Sequence, residues 1–259
     1  MQEHELSLFK NWFYSHAAGC RSNDSEMNAV LDLKIKHTDF VCSNALRISQ
    51  GLGWPEEQTR AAQIAALLHD VGRFPQMTGF QTFNDNLSCD HAALGVEIIL
   101  TGGLLQNLTG KEQRQILSAV AWHNKRILPQ ELPKDEQSIL RLVRDADKLD
   151  IMRIFCEYYA ICRKRPNPLL EFGLPLSGKC SEKVIADLTS GRIADLADAR
   201  NVNDVRLIKL SWIYDLHYPM SRALFLENKY IEKTLAALPP LPEVVRLGVQ
   251  LTDYLKKNI

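Results

Sequence analysis

The 259-residue sequence predicts an all-α fold, and three observations predict it. Apolar residues recur at helical spacing along most of the chain, and no stretch alternates apolar and polar residues as a half-buried strand would. Helix start signals stand where those runs begin. Trp54-Pro55-Glu56-Glu57 puts a proline and two acids into a first turn, and Thr109-Gly110-Lys111-Glu112 has the form of a capping box. Breakers then separate the runs: Gly72, Gly102-Gly103, Pro129 to Pro133, and Pro239-Pro240-Leu241-Pro242.

In chain order, an amphipathic helix is expected over residues 3–17 and a long one over 26–50. A third starts at Pro55, runs through AAQIAALL to His69-Asp70, and stops near Gly72. Residues 73–88, RFPQMTGFQTFNDNLS, hold proline, glycine and asparagine and are expected to form a loop. Helices follow from Asp90 to about Leu100, from Thr109 to near Asn124, and from about residue 135 through RLVRDADKLDIMRIF. Residues 165–180 read as irregular, a lid or a linker, and the rest to Ile259 as helical again. One compact unit is expected, with a helical domain over 1–164 (core 30–160) and a helical C-terminal extension, 165–259, packed on it.

Lys plus Arg equals Asp plus Glu at 31 each, so a nucleic-acid partner held mainly by a basic surface is not expected. No run of about 18 apolar residues predicts a membrane span. The start, MQEHELSLFKNWF, lacks the basic-then-apolar pattern of a secretory signal. Six scattered cysteines without a CxxC pair read as reduced thiols, and a cytoplasmic location follows as the expectation.

Chemistry concentrates in six residues. His37 shares a helical stripe with Val41, Ala45, Ile48 and Leu52. His91 lies on a face with Gly95 and Ile98, and His123 on one with Ile116 and Val120. Asp147 follows Ile139 and Val143, and His69-Asp70 ends the apolar run AALL. Any one of these histidines alone reads as a satisfied core or surface residue, and either acid as a helix-end or salt-bridged one. Arg144 and Lys148 stand near enough in sequence to pair with Asp147. Four imidazoles and two carboxylates turned toward apolar faces from five segments are better explained by shared cations, because a buried carboxylate needs a partner. Nitrogen and oxygen donors without thiolate suit Mn, Fe, Co, Ni, Zn or Mg.

The order His37, His69-Asp70, then Asp147 within DADKLD resembles the HD-domain superfamily of metal-dependent phosphohydrolases. HTDFVCSNALRIS looks like that family's first ligand helix and AALLHDVGRFP like its His-Asp turn, a likeness over roughly residues 30 to 160. The resemblance implies an HD-type helical bundle with one or two divalent ions. His37, His69, Asp70 and Asp147 would bind the first, and Asp70 would bridge to a second held by His91 and His123. A bridging hydroxide would then attack phosphorus in a small, nucleotide-like phosphoester. Arg73 stands where some relatives carry a phosphate-contacting lysine, and it is assigned with Lys148 to the substrate.

Asp85 and Asp90 are read as proton-transfer acids, loop acids or a cap for the His91 helix. His4 and His16 are read as structural or surface residues, and His217 as a packing residue on a helix with Trp212, Tyr214, Tyr218 and Phe225. The partners expected are the phosphorylated substrate and, as an open alternative, further copies of the chain. Two rival functions share the ligand layout: a di-iron HD-fold oxygenase cleaving a C–C or C–P bond, and a non-catalytic ligand-sensing protein.

Overall fold

In the computed structural model, which describes residues 2–162 and 167–259, every regular element is a helix, as expected. Two compact units form, Met1–Asp147 and Lys148–Ile259. The first comprises α1 (Gln2–Gly19), α2 (Ser25–Gly51), α3 (Glu56–Leu68), α4 (Arg73–Phe80), α5 (His91–Thr101), α6 (Gly110–Trp122) and the start of α7 (Lys134–Tyr159).

The apolar run of α3 decides the arrangement. Ala61, Ala62, Ile64, Ala65, Ala66, Leu67 and Leu68 are all buried, so this helix needs neighbours on nearly every side. It has them in α1, α2 and α6, which its small alanines let approach closely. Long α2 starts where the Asp24 carboxylate accepts the Glu26 and Met27 N–H groups, at 2.8 and 3.2 Å. Its inward stripe runs Leu31, His37, Thr38, Val41, Ala45, Ile48. The Thr109–Glu112 capping box forms as the sequence predicts, and Glu112 also takes the Arg60 guanidinium.

Part of the expected 73–88 loop is helical instead. Pro75 falls within the first turn of α4, where a backbone N–H has no intrahelical partner to lose. Burial of Phe74, Gln76 and Met77 then holds the turn inward. Gln81, left-handed at φ 54°, ends the helix and donates its N–H to the Met77 carbonyl at 2.8 Å. Only the remainder is loop, with one 3-10 turn at Asp85–Leu87.

The second unit carries the end of α7, α8 (Pro168–Glu171), α9 (Glu182–Thr189), α10 (Val202–Ser211), α11 (Pro219–Glu227), α12 (Tyr230–Leu235) and α13 (Pro242–Lys257). Nearly all of α10 is buried, including Asp204, whose carboxylate accepts the Ser181 N–H and hydroxyl at 2.6 Å and the Arg200 N–H at 2.8 Å. Within the expected 165–180 stretch, residues 163–166 just before and at its start lie outside the described residues, as does the His4 side chain. The helix expected around His217 is broken. Tyr218 precedes Pro219 and is held extended (φ −106°, ψ 142°), so His217 lies between a 3-10 turn, Trp212–Asp215, and α11. No helix among the described residues is long and apolar enough to cross a membrane.

Among the glycines of the first unit, Gly72 has the closest neighbours. A Cβ there would stand 2.1 Å from the His91 carbonyl oxygen and 2.8 Å from the Gly95 nitrogen, both backbone atoms that cannot yield. The prediction is that Gly72→Ala costs roughly 3 kcal/mol in urea unfolding or prevents folding. Exposed Gly79 in α4 meets nothing within 4 Å, so Gly79→Ala should gain about 0.5 kcal/mol.

Candidate metal centre

Five elements bring the predicted residues together in the first unit. His37 comes from α2, His69 and Asp70 from the turn after α3, and His91 opens α5. His123 caps the C-terminus of α6, and Asp147 stands in α7. The four imidazoles and Asp70 are buried; the Asp147 side chain keeps 19% exposure.

Asp70 divides its two oxygens between two sets of nitrogens. Oδ2 lies 3.8 Å from His37 Nε2 and 3.6 Å from His69 Nε2. Oδ1 lies 3.3 Å from His91 Nε2 and 3.5 Å from His123 Nε2. Asp147 Oδ1 completes the first set, 3.1 Å from His37 Nε2 and 3.9 Å from His69 Nε2. Within each of the groups His37-His69-Asp70 and Asp70-His91-His123, one ligand atom per residue falls within 4.8 Å of the others.

The outer ring nitrogens fix which inner ones are bare. His69 Nδ1 faces the Ala66 carbonyl at 2.7 Å and His123 Nδ1 the Val120 carbonyl at 2.8 Å. A carbonyl only accepts, so both Nδ1 atoms carry a proton, and the neutral His69 ring turns an unprotonated Nε2 inward. His91 Nδ1 donates to the Asp85 carboxylate at 2.7 Å, with the same result. The inner nitrogens of His91 and His123 face each other at 3.1 Å. Buried His69 Nε2 has no hydrogen-bond partner. Bare lone pairs converging on carboxylate oxygens fit a cation, and the outer partners are those metal-binding histidines use.

Charge states agree with this geometry. Burial pulls His69 and His91 down to about 4, so both rings are neutral near pH 7. Burial by itself would raise the Asp70 carboxyl, but Lys34, His69, His123 and Arg73 outweigh it and hold it well below its ordinary value. Asp147 is lowered as well: burial opposes, and the hydrogen bond and charge of His37 prevail. Neutral His69 and His91 beside ionised Asp70 and Asp147 are in the forms that ligate metal.

A polar layer holds these rings in place. Asp85 grips His91, and Gln76 Nε2 at 2.9 Å and Asn124 Nδ2 at 3.2 Å hold Asp85. Arg73 donates through one guanidinium nitrogen to Asp85 at 2.9 Å, to the Phe83 carbonyl at 2.6 Å and to Gln76 at 2.9 Å, with its Nε 3.5 Å from Asp70 Oδ1. Asp90 is the α5 cap, accepting from Ala92 N–H at 3.1 Å and pairing with Lys125. Arg144 donates to the His123 carbonyl at 2.9 Å, satisfying an orphaned acceptor at the end of α6. Lys148 Nζ lies 2.7 Å from Asp215 Oδ2, and His217 Nε2 3.8 Å from Asp215 Oδ1. His16 Nε2 sits 3.2 Å from the Val71 carbonyl and stacks on Trp12.

Sequence reasoning missed Lys34, whose ammonium touches Asp70 Oδ2 at 2.6 Å. Its spacing of three from His37 was the available signal. It also missed Gln76 and Asn124, which depend on a loop fold that no local pattern announces.

Residues 35–152 match the family described as HD domain. Neither a curated protein nor a solved structure matches the chain. The matched stretch spans all six residues of the centre, the adjacent His69 and Asp70 among them. Over residues 35–152 the chain is therefore similar to the HD domain, and the His and Asp groups within that stretch are of a kind that could hold divalent metal.

Proposed function

We propose that the chain is a metal-dependent phosphohydrolase that cleaves a phosphoester of a small, nucleotide-like substrate at a two-ion centre. The observation that carries this reading is the division of Asp70, one carboxylate oxygen toward His37 and His69 and the other toward His91 and His123. His37, His69, Asp70 and Asp147 would hold one ion, and Asp70, His91 and His123 the other. When bound, such ions supply a water of lowered pKa and neutralise the charge that develops on a phosphoryl group.

The chain's own residues prepare that chemistry. Carbonyls and Asp85 fix the imidazole tautomers, so the donors need no rearrangement before binding. Arg73, beside Asp70 Oδ1, is assigned to a substrate phosphoryl oxygen, and Lys148 is a second candidate for that contact. The balanced overall charge favours a small phosphorylated molecule over a polyanion.

Three measurements follow. Manganese-loaded protein should release phosphate or split the ester in a panel of nucleoside monophosphates and cyclic nucleotides, with no oxygen uptake. Oxygen consumption by iron-loaded protein without phosphate release would instead establish the oxygenase chemistry. Elemental analysis should find two ions in the wild type and one in His91→Ala, while Asp85→Ala weakens the second ion about 10- to 100-fold by removing the acceptor of the His91 proton.

The third concerns acid. His69 and His91 titrate near 4 in the folded chain and near an imidazole's ordinary 6.5 when unfolded, so below 6.5 the unfolded state binds more protons. Stability of the metal-free protein should be fully present above pH 6.5 and fall as pH drops toward 4, at about 1.4 kcal/mol per pH unit for each imidazole at the steepest. Urea midpoints measured across that window test it, and a flat profile would contradict buried neutral rings.

A further inference from the structure

Lys34 carries a charge that the ligand set does not explain. It lies one helical turn before His37 on α2, so both side chains project from one face. Its Nζ is 2.6 Å from Asp70 Oδ2, the oxygen that faces His37 and His69. The same ammonium lies 5.4 Å from the centroid of the Phe83 ring, whose face also receives the Arg73 guanidinium at 5.7 Å.

These contacts conflict with a loaded centre. A divalent ion among His37, His69 and Asp147 needs the lone pairs of Oδ2, and an ammonium on that oxygen would face the ion at close range without screening. Lys34 is free to yield where the histidines are not. Its four-carbon stem is flexible, its side chain is 22% exposed, and the Phe83 ring offers a second seat already within cation–π range. Arg73 lacks that freedom, because Asp85, Gln76 and the Phe83 carbonyl hold it.

We propose that Lys34 is an exchangeable counter-ion of Asp70, which metal binding releases to contact an anionic oxygen of the substrate. The inference rests on the two-ion reading above. Without metal, the ammonium neutralises a buried carboxylate that would otherwise be costly. With metal, it moves from Asp70 toward Phe83 and adds a mobile cation beside the ions, where a phosphoryl group gathers negative charge. Sequence spacing, burial and geometry thus give one residue two roles, and the metal decides between them.

The test uses the full chain as wild type, Lys34→Gln and Lys34→Arg, with Mn²⁺ titrated calorimetrically and by thermal shift. Lys34→Gln should melt lower without metal, bind the first Mn²⁺ about tenfold tighter, and show a larger Mn²⁺-induced rise in Tm, because the competing cation is gone. Inorganic phosphate should bind the manganese-loaded Lys34→Gln protein about tenfold more weakly than it binds wild type. Lys34→Arg, which keeps a cation, should follow wild type in both titrations. If wild type binds manganese and Lys34→Gln binds it equally or less tightly, the counter-ion role is overturned and the metal centre stands. Unchanged phosphate affinity overturns the substrate contact. A wild type that binds no manganese overturns the two-ion reading itself, and this inference with it.

Discussion

A single buried carboxylate organises the first unit. Asp70 is ionised inside the helical bundle, and each of its oxygens meets a separate group of positive or proton-poor nitrogens. Burial alone would push that carboxyl toward the neutral acid, so the surrounding elements must be arranged to keep its charge. Removing one partner from such a group leaves the other uncompensated, which makes the cluster stringent about geometry. The elements that carry His37, His91 and His123 are therefore tied to one another through one side chain, and Asp147 joins them through His37 and His69.

Backbone packing supplies the precision. Alanine-rich α3 lets α1, α2 and α6 close around it, and the turn at its end delivers His69 and Asp70 together. Gly72 then allows that turn to touch the backbone of α5 where His91 begins. Asn44 Nδ2 donates to the Ala146 carbonyl at 3.1 Å, joining α2 to α7 beside Asp147. Outer hydrogen bonds to carbonyls and to Asp85 complete the arrangement by setting the tautomers. Fold and chemistry share the same contacts, so a fault in packing at Gly72 is also a fault in the site.

Helical periodicity made most of this legible. The stripe of α2, the apolar run of α3 and the phase of Asp147 in α7 each follow from local spacing, and five segments agreed in sending polar donors inward. What local pattern misjudged was context. Proline and glycine in RFPQMTGF suggested a loop, whereas burial of Phe74, Gln76 and Met77 stabilises α4 with Pro75 in its permissive first turn. The run around His217 looked helical, but Pro219 forces Tyr218 into an extended conformation. Lys34 escaped notice because a lysine is usually solvated, and only the fold sets it against Asp70. Asp85 was one of several loop acids until the 3-10 turn brought it under His91.

Anomalous scattering from crystals grown with Mn²⁺ tests the central claim most directly. The account predicts two peaks on either side of Asp70, one among His37, His69 and Asp147 and one between His91 and His123, each reached by a different Asp70 oxygen. A single peak with His91 and His123 unligated, or density on one Asp70 oxygen only, would contradict it.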